Sequence, residues 1–82
     1  MWYYTYVLQS EKSKTWYTGA TIDLRNRVRQ HNEGLVKSTR SIRPVTLIYY
    51  EACRDREDAF RRERYLKSGM GKRYLRNRLK GS

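Results

Sequence analysis

Trp2-Tyr3-Tyr4-Thr5-Tyr6-Val7-Leu8, a polar interval, and then Thr15-Trp16-Tyr17-Thr18-Gly19 form the stretch that decides the fold. From Trp2 to Leu8 every residue is aromatic, β-branched or apolar, and alternation places Trp2, Tyr4, Tyr6 and Leu8 on one face of a strand. Ser10-Glu11-Lys12-Ser13-Lys14 has turn composition, and the β-rich character resumes at Thr15. The two runs therefore predict a hairpin. With the turn centred on Glu11 and Lys12, Tyr6 is expected directly opposite Tyr17, with both phenols on one face.

Downstream, Thr21 or Asp23 can cap a helix whose apolar residues Leu24 and Val28 recur at helical spacing until Asn32-Glu33-Gly34. Residues 35–44 are polar and basic, and read as an exposed loop ending at Pro44. Val45 to Tyr50 is a third strand. Asp55, Glu57 and Asp58 suit the start of a second helix, with Ala59, Phe60 and Leu66 on its inward face and its end near Lys67. Ser68-Gly69-Met70-Gly71 is expected to break it, with a short basic helix from Lys72 to Lys80. The order is β-β-α-β-α-α, an α/β chain of the α+β type: a three-stranded antiparallel sheet flanked by helices, in one domain over residues 1–82.

An 82-residue chain has room for one modest core. Nineteen Lys and Arg against eight Asp and Glu leave a formal charge of +11, which repels itself in a compact chain and calls for a polyanionic partner. Nucleic acid is the expected partner, with an affinity that falls as salt rises, and an acidic membrane would satisfy the same charge less specifically. The lone Cys53 cannot form an internal disulfide, and neither a zinc-type Cys/His cluster nor a Cys-x-x-Cys pair is present. A reducing, cytoplasmic location is expected. Residues 1–8 lack the features of a signal peptide, no run is long enough to span a membrane, and nothing in the chain fixes an oligomeric state.

Three polar features resist explanation as scaffold. Glu63 falls in the middle of the second helix's apolar stripe, between Ala59 and Phe60 on one side and Leu66 and Lys67 on the other. Ionised carboxylates avoid that location unless paired or metal-bound, and the ordinary alternative is an ion pair with a neighbouring arginine. Arg27 and His31 stand four apart on one edge of the first helix; taken singly, each has an ordinary structural reading. Tyr6 and Tyr17 project from the hairpin, where tyrosines are most often packing residues.

Tyr4-Thr5-Tyr6, Tyr17-Thr18-Gly19, Arg27, His31 and Glu63, taken in order, resemble the GIY-YIG nuclease superfamily over nearly the whole chain. The tract Arg61-Arg62-Glu63-Arg64-Tyr65-Leu66-Lys67-Ser68-Gly69 is similar to its small bacterial members. Two departures are evident: the first tripeptide ends in Tyr6 but lacks the Gly-Ile, and Asn77, within a basic helix, matches no family role. The resemblance implies hydrolysis of a phosphodiester with one divalent cation, Mg²⁺ or Mn²⁺, held by Glu63 and waters. Arg27 would clamp the phosphate, Tyr17 or Tyr6 would activate water, and His31 would relay a proton or orient the phosphate.

Bringing a phenol from a pKa of about 10 to about 7 needs roughly 4 kcal/mol, which the metal, Arg25 and Arg27 are expected to supply. Lys67 is a supporting cation. With Arg25, Lys37, Arg40, Arg43, Lys72, Arg73 and Arg76 it is expected to contact nucleic acid, positioning the backbone without reading sequence. The alternative is a non-catalytic nucleic-acid-binding module, in which the same charge and interleaved aromatics track a strand without cutting it.

Overall fold

The computed structural model describes residues 1–81, leaving Ser82 outside. β1 (Tyr3–Ser10) lies between β2 (Trp16–Thr21) and β3 (Val45–Cys53) in an antiparallel sheet of order β2-β1-β3. Its two faces feed two cores. Tyr6 and Leu8 pack with Val45 against Tyr17, Leu24, Val28, Ile42 and Leu47, whereas Val7 packs with Leu66 and Leu75 against Trp16, Ile48 and Tyr49. A strand covered on both sides reads as an unbroken apolar run, which is why Trp2 to Leu8 shows no polar face. Trp2 itself precedes the strand and is half exposed. α1 (Leu24–Asn32) covers the first face, and α2 (Arg56–Lys67) with α3 (Gly69–Arg78) covers the second. The element order is the one expected, with a short 3-10 helix (Lys37–Ile42) added before β3.

The hairpin register differs from the expectation by two residues. Tyr6 faces Gly19 and Tyr17 faces Leu8. The cause is a longer loop: Ser10 and Thr15 close it through Ser10 N–H to Thr15 C=O at 2.9 Å, and Lys14 takes a positive φ of 65°. The buried Ser10 hydroxyl accepts from the N–H groups of Lys12 and Ser13 at 3.2 and 3.1 Å. An even shift keeps both phenols on the same face.

Asp23, not Thr21, caps α1, accepting from Asn26 N–H at 3.2 Å, and Gly34 at φ 81° takes the chain out of the helix. Residues 35–44 do not form the open loop expected of their composition. Val36 and Thr39 are buried there, and the arginines satisfy backbone: Arg40 Nε donates to Gly34 C=O at 2.9 Å and Arg43 Nε to Arg40 C=O at 3.1 Å. Part of the segment's polarity is spent inside it.

β3 continues three residues past the expected Tyr50 because Glu51 is held. Arg62 grips its carboxylate through Nε and Nη2 at 2.7 and 3.0 Å, and Tyr49 donates to it at 2.9 Å. The Arg62 guanidinium also lies 5.1 Å from the Tyr65 ring centre and 5.5 Å from that of Tyr74, so this arginine is scaffold. On α2, Ala59 and Leu66 are buried, but Phe60 is 38 % exposed and corrects the expected inward face. Its ring is covered by the Arg56 guanidinium at 5.3 Å instead.

α3 begins at Gly69, three residues before the expected Lys72. Ser68 caps it by accepting from Gly71 N–H at 3.2 Å, and a Cβ on Gly71 would collide with the Tyr65 carbonyl and Leu66 Cα. Gly71, the second glycine of the tract that read as a break, permits a close approach of two helices. Among the described residues, no helix is long and apolar enough to cross a membrane.

Candidate active site

The edge strand β2 is where the two faces of the sheet communicate, and Gly19 makes this possible. A Cβ there would stand 2.5 Å from Tyr6 Oη and 2.7 Å from its Cζ, so only glycine lets the phenol lie across β2. Tyr17, two residues earlier on the same strand, shares that face.

α1 lies over this face and brings His31 and Arg27 to the phenols. His31 is fully buried, with Nε2 2.8 Å from Tyr6 Oη and Nδ1 2.6 Å from Thr39 Oγ1. Its ring centre is 5.8 Å from that of Tyr6 and 5.1 Å from that of Tyr17. Burial, aided by the Arg27 charge, depresses its pKa to about 4, so the imidazole is neutral near pH 7. Arg27 is partly buried and spends one donor on Gln30 Oε1 at 3.0 Å, leaving others for a ligand.

Burial raises the Tyr6 pKa above its ordinary value; Arg27 opposes this as hydrogen-bond donor and charge, while Tyr17 and Glu63 reinforce it. The resting group is therefore a phenol. Arg27 by itself does not offset the desolvation of the ring. Arg25 is not among the groups acting on Tyr6. It is exposed and lines a separate hollow of about 560 Å³ with Tyr4, Leu24, Val28, Leu47 and Tyr50.

α2 approaches from the opposite face. Glu63, its side chain 20 % exposed, pairs with Lys67 at 3.2 Å, and Lys67 Nζ stands 5.8 Å from the centre of the Tyr17 ring. The ordinary pairing with an arginine is not what occurs. Lys67 thus links the carboxylate to the hairpin around the edge of β2, and Tyr6, Tyr17, Arg27, His31, Glu63 and Lys67 form one cluster drawn from four elements.

Among the described residues, no three His, Cys, Asp or Glu side chains converge as a metal cage. A single partly buried carboxylate with a displaceable lysine fits a cation that keeps most of its waters, as Mg²⁺ does, and does not fit a site requiring several protein ligands.

The expected nucleic-acid contacts separate into two groups. Lys72 lines a hollow of about 290 Å³ with Trp16, Tyr17, Thr18 and Lys67, and joins Arg76, Lys14 and Trp16 around an adjoining one of about 300 Å³. Lys37, Arg40, Arg43 and Arg73 are exposed but border neither hollow. Sequence reasoning missed Thr39, Lys14 and Trp16 as neighbours of the site. Thr39 gave no signal, because a hydroxyl eight residues after a histidine, inside a polar run, belongs to no periodic pattern.

Comparison with known proteins shows the family. A family model described as the GIY-YIG catalytic domain matches residues 2–78. A UPF0213 protein of Desulfotalea psychrophila is 40 % identical over 67 residues, covering 79 % of this chain and 60 % of that one. A UPF0213 protein of Pediococcus acidilactici is 41 % identical over 81 residues, covering 92 % of this chain and 82 % of the other. The solution NMR structure of a UPF0213 protein from Bacillus halodurans superposes with a TM-score of 0.56 at 36 % identity, covering 92 % of this chain and 82 % of that one.

Proposed function

Because the chain belongs to the GIY-YIG catalytic-domain family, a nuclease superfamily, we propose that it is an endonuclease that hydrolyses phosphodiester bonds in DNA with one divalent cation, Mg²⁺ or Mn²⁺, at Glu63. The observation that carries this reading is the meeting of Glu63, from one face of the sheet, with Tyr6, Tyr17, Arg27 and His31, from the other, at a single strand edge. Scaffold requirements do not explain why a carboxylate, a guanidinium and two phenols converge there.

Glu63, with waters, would hold the cation, which would supply charge stabilisation for the phosphate and ease ionisation of the attacking water. Arg27 binds the phosphate through its free donors and stabilises the charge that builds on its oxygens. A phenol of the hairpin accepts the proton from water, with neutral His31 behind Tyr6. Lys67, released from Glu63, remains beside Tyr17 as a further phosphate contact. Lys72 and Arg76 continue the track along two hollows, with Arg25, Lys37, Arg40, Arg43 and Arg73 as outlying contacts. These cations meet backbone, so sequence specificity is low. Cys53, a free thiol, suits a reducing compartment such as the cytoplasm.

The Glu63–Lys67 ion pair favours a second reading, since it satisfies the carboxylate without a metal. The chain would then bind nucleic acid without cutting it. Incubation of the purified protein with plasmid DNA and with structured RNA, in Mg²⁺, Mn²⁺ or EDTA, separates the two. Metal-dependent products that disappear in Glu63→Ala and in Arg27→Ala support the nuclease; binding with no products in any metal supports the second reading.

A further inference from the structure

The site contains a chain of hydrogen-bonding groups whose direction is fixed by its ends. At one end stands Tyr6, whose neighbour Arg27 bears on it as a positive charge and has a guanidinium that can only donate. The chain of groups continues from Tyr6 Oη to His31 Nε2 at 2.8 Å and from His31 Nδ1 to Thr39 Oγ1 at 2.6 Å. It ends at the Val36 carbonyl, 3.5 Å from Thr39 Oγ1, which can only accept. Tyr6 is 1 % exposed, and His31 and Thr39 are both at 0 %, so His31 and Thr39 find their partners within the protein.

Only one direction satisfies every member. The phenol hydrogen cannot point at a guanidinium, so it points at Nε2, which must carry a lone pair. The proton of neutral His31 then sits on Nδ1 and is donated to Thr39, whose own hydrogen goes to Val36. The opposite direction would leave the buried Tyr6 hydroxyl hydrogen without an acceptor, at a cost of about 1–3 kcal/mol.

We propose that Thr39 is a positioning residue: by accepting from Nδ1–H it holds His31 in the tautomer whose Nε2 can take the Tyr6 proton. With Nε2 bare, Tyr6 can pass its proton to His31 when it serves the attacking water. The chemical half of the proposal rests on the nuclease reading. In the step, an O–H bond of water breaks and its proton forms a new bond to Tyr6 Oη as the original Tyr6 proton passes to Nε2. The water oxygen bonds to phosphorus, and the bond from phosphorus to the leaving oxygen breaks. The leaving oxygen takes a proton from solvent, and His31 returns its proton to solvent through Tyr6, so one water is consumed.

His31 is the only histidine in the chain, so its two ring nitrogens can be read directly by ¹⁵N NMR without assignment. The expected spectrum at pH 7 has a protonated Nδ1 and a bare Nε2 in the wild type and in Thr39→Ser, which keeps the hydroxyl. Thr39→Val removes the acceptor at nearly constant shape and is expected to move the proton to Nε2. Its kcat should fall by roughly 10²-fold with KM within about twofold, and Thr39→Ser should recover most of the loss. A wild-type proton on Nε2 overturns the proposal whatever the variants do. So does a Thr39→Val protein with the wild-type tautomer and rate. The spectrum needs neither substrate nor metal: the expected tautomer in a protein that cuts nothing removes the nuclease reading and leaves the Thr39 assignment, whereas active cleavage with the wrong tautomer does the reverse.

Discussion

A hydrogen atom on Gly19 is what lets a phenol cross the strand beside it. The atoms that a Cβ would meet, Tyr6 Oη at 2.5 Å and Cζ at 2.7 Å, belong to a buried ring that cannot swing away freely. Gly19→Ala should therefore lower stability by about 1–3 kcal/mol and slow cleavage, because the ring must leave His31. Tyr6→Phe removes the nearest of these atoms, so in a double-mutant cycle measured by urea unfolding the two changes should be less than additive. Strict additivity would mean that Gly19 is not there for Tyr6.

His31 gives a second test at this scale. Its folded pKa of about 4 lies below the ordinary 6.5, so between these values the unfolded chain binds the proton and the folded chain does not. Stability is then fully present above about pH 6.5 and is lost as pH falls toward 4, by up to about 3 kcal/mol. Urea unfolding at intervals from pH 7.5 to 4 should show this slope, and His31→Gln, which gains no proton, should flatten that part of the curve. An unchanged slope in the variant would assign it to the carboxylates. Tyr6, Tyr17, Arg27, His31 and Glu63 were legible in the sequence as residue types at suggestive spacing; the protonation of Tyr6 was not. That depends on how much water the fold removes around the ring, which no local pattern encodes.

At the scale of elements, legibility followed how local the deciding interaction is. The unbroken β-rich run before Ser10 and the Leu24–Val28 spacing are local signals, and the strand and helix formed where expected. The hairpin register was missed by two residues because it hangs on the buried Ser10 hydroxyl binding its own loop. The 3-10 helix was missed because its polar side chains are satisfied by His31 and by backbone, so composition reported them as solvated.

The start of α3 was missed for a similar reason. The expected break exists but is confined to Ser68, and Gly71, inside α3, is required by backbone at Tyr65 and Leu66. Gly71→Ala would ordinarily gain about 1 kcal/mol of helix propensity; here the collision should dominate, with a net loss of about 2 kcal/mol visible as a lower urea midpoint. A more stable variant would show that α2 and α3 are not pressed together at this point.

For the molecule as a whole, the formal charge of +11 proves to be partitioned. Arg62 is committed to Glu51 and two aromatic rings, Arg29 and Arg61 to neighbouring acids, and Arg40 and Arg43 hold backbone. Lys14, Lys67, Lys72 and Arg76 line the two hollows at Trp16, the entry we propose for a phosphate backbone. Composition indicated a polyanion but could not separate structural arginines from contact ones, since the distinction lies in which carboxylate or ring each cation reaches in three dimensions.

The central claim is that Glu63 serves a metal at the junction of the two faces. Its most direct test is the cleavage of supercoiled plasmid by wild type and by Glu63→Gln, a change that keeps the shape and removes the charge, across a titration of Mg²⁺ and with excess EDTA. The account expects nicked product that rises with Mg²⁺, vanishes in EDTA, and falls by at least about 10²-fold in Glu63→Gln while DNA binding persists. Cleavage by Glu63→Gln at the wild-type rate, or wild-type cleavage indifferent to EDTA, would contradict it.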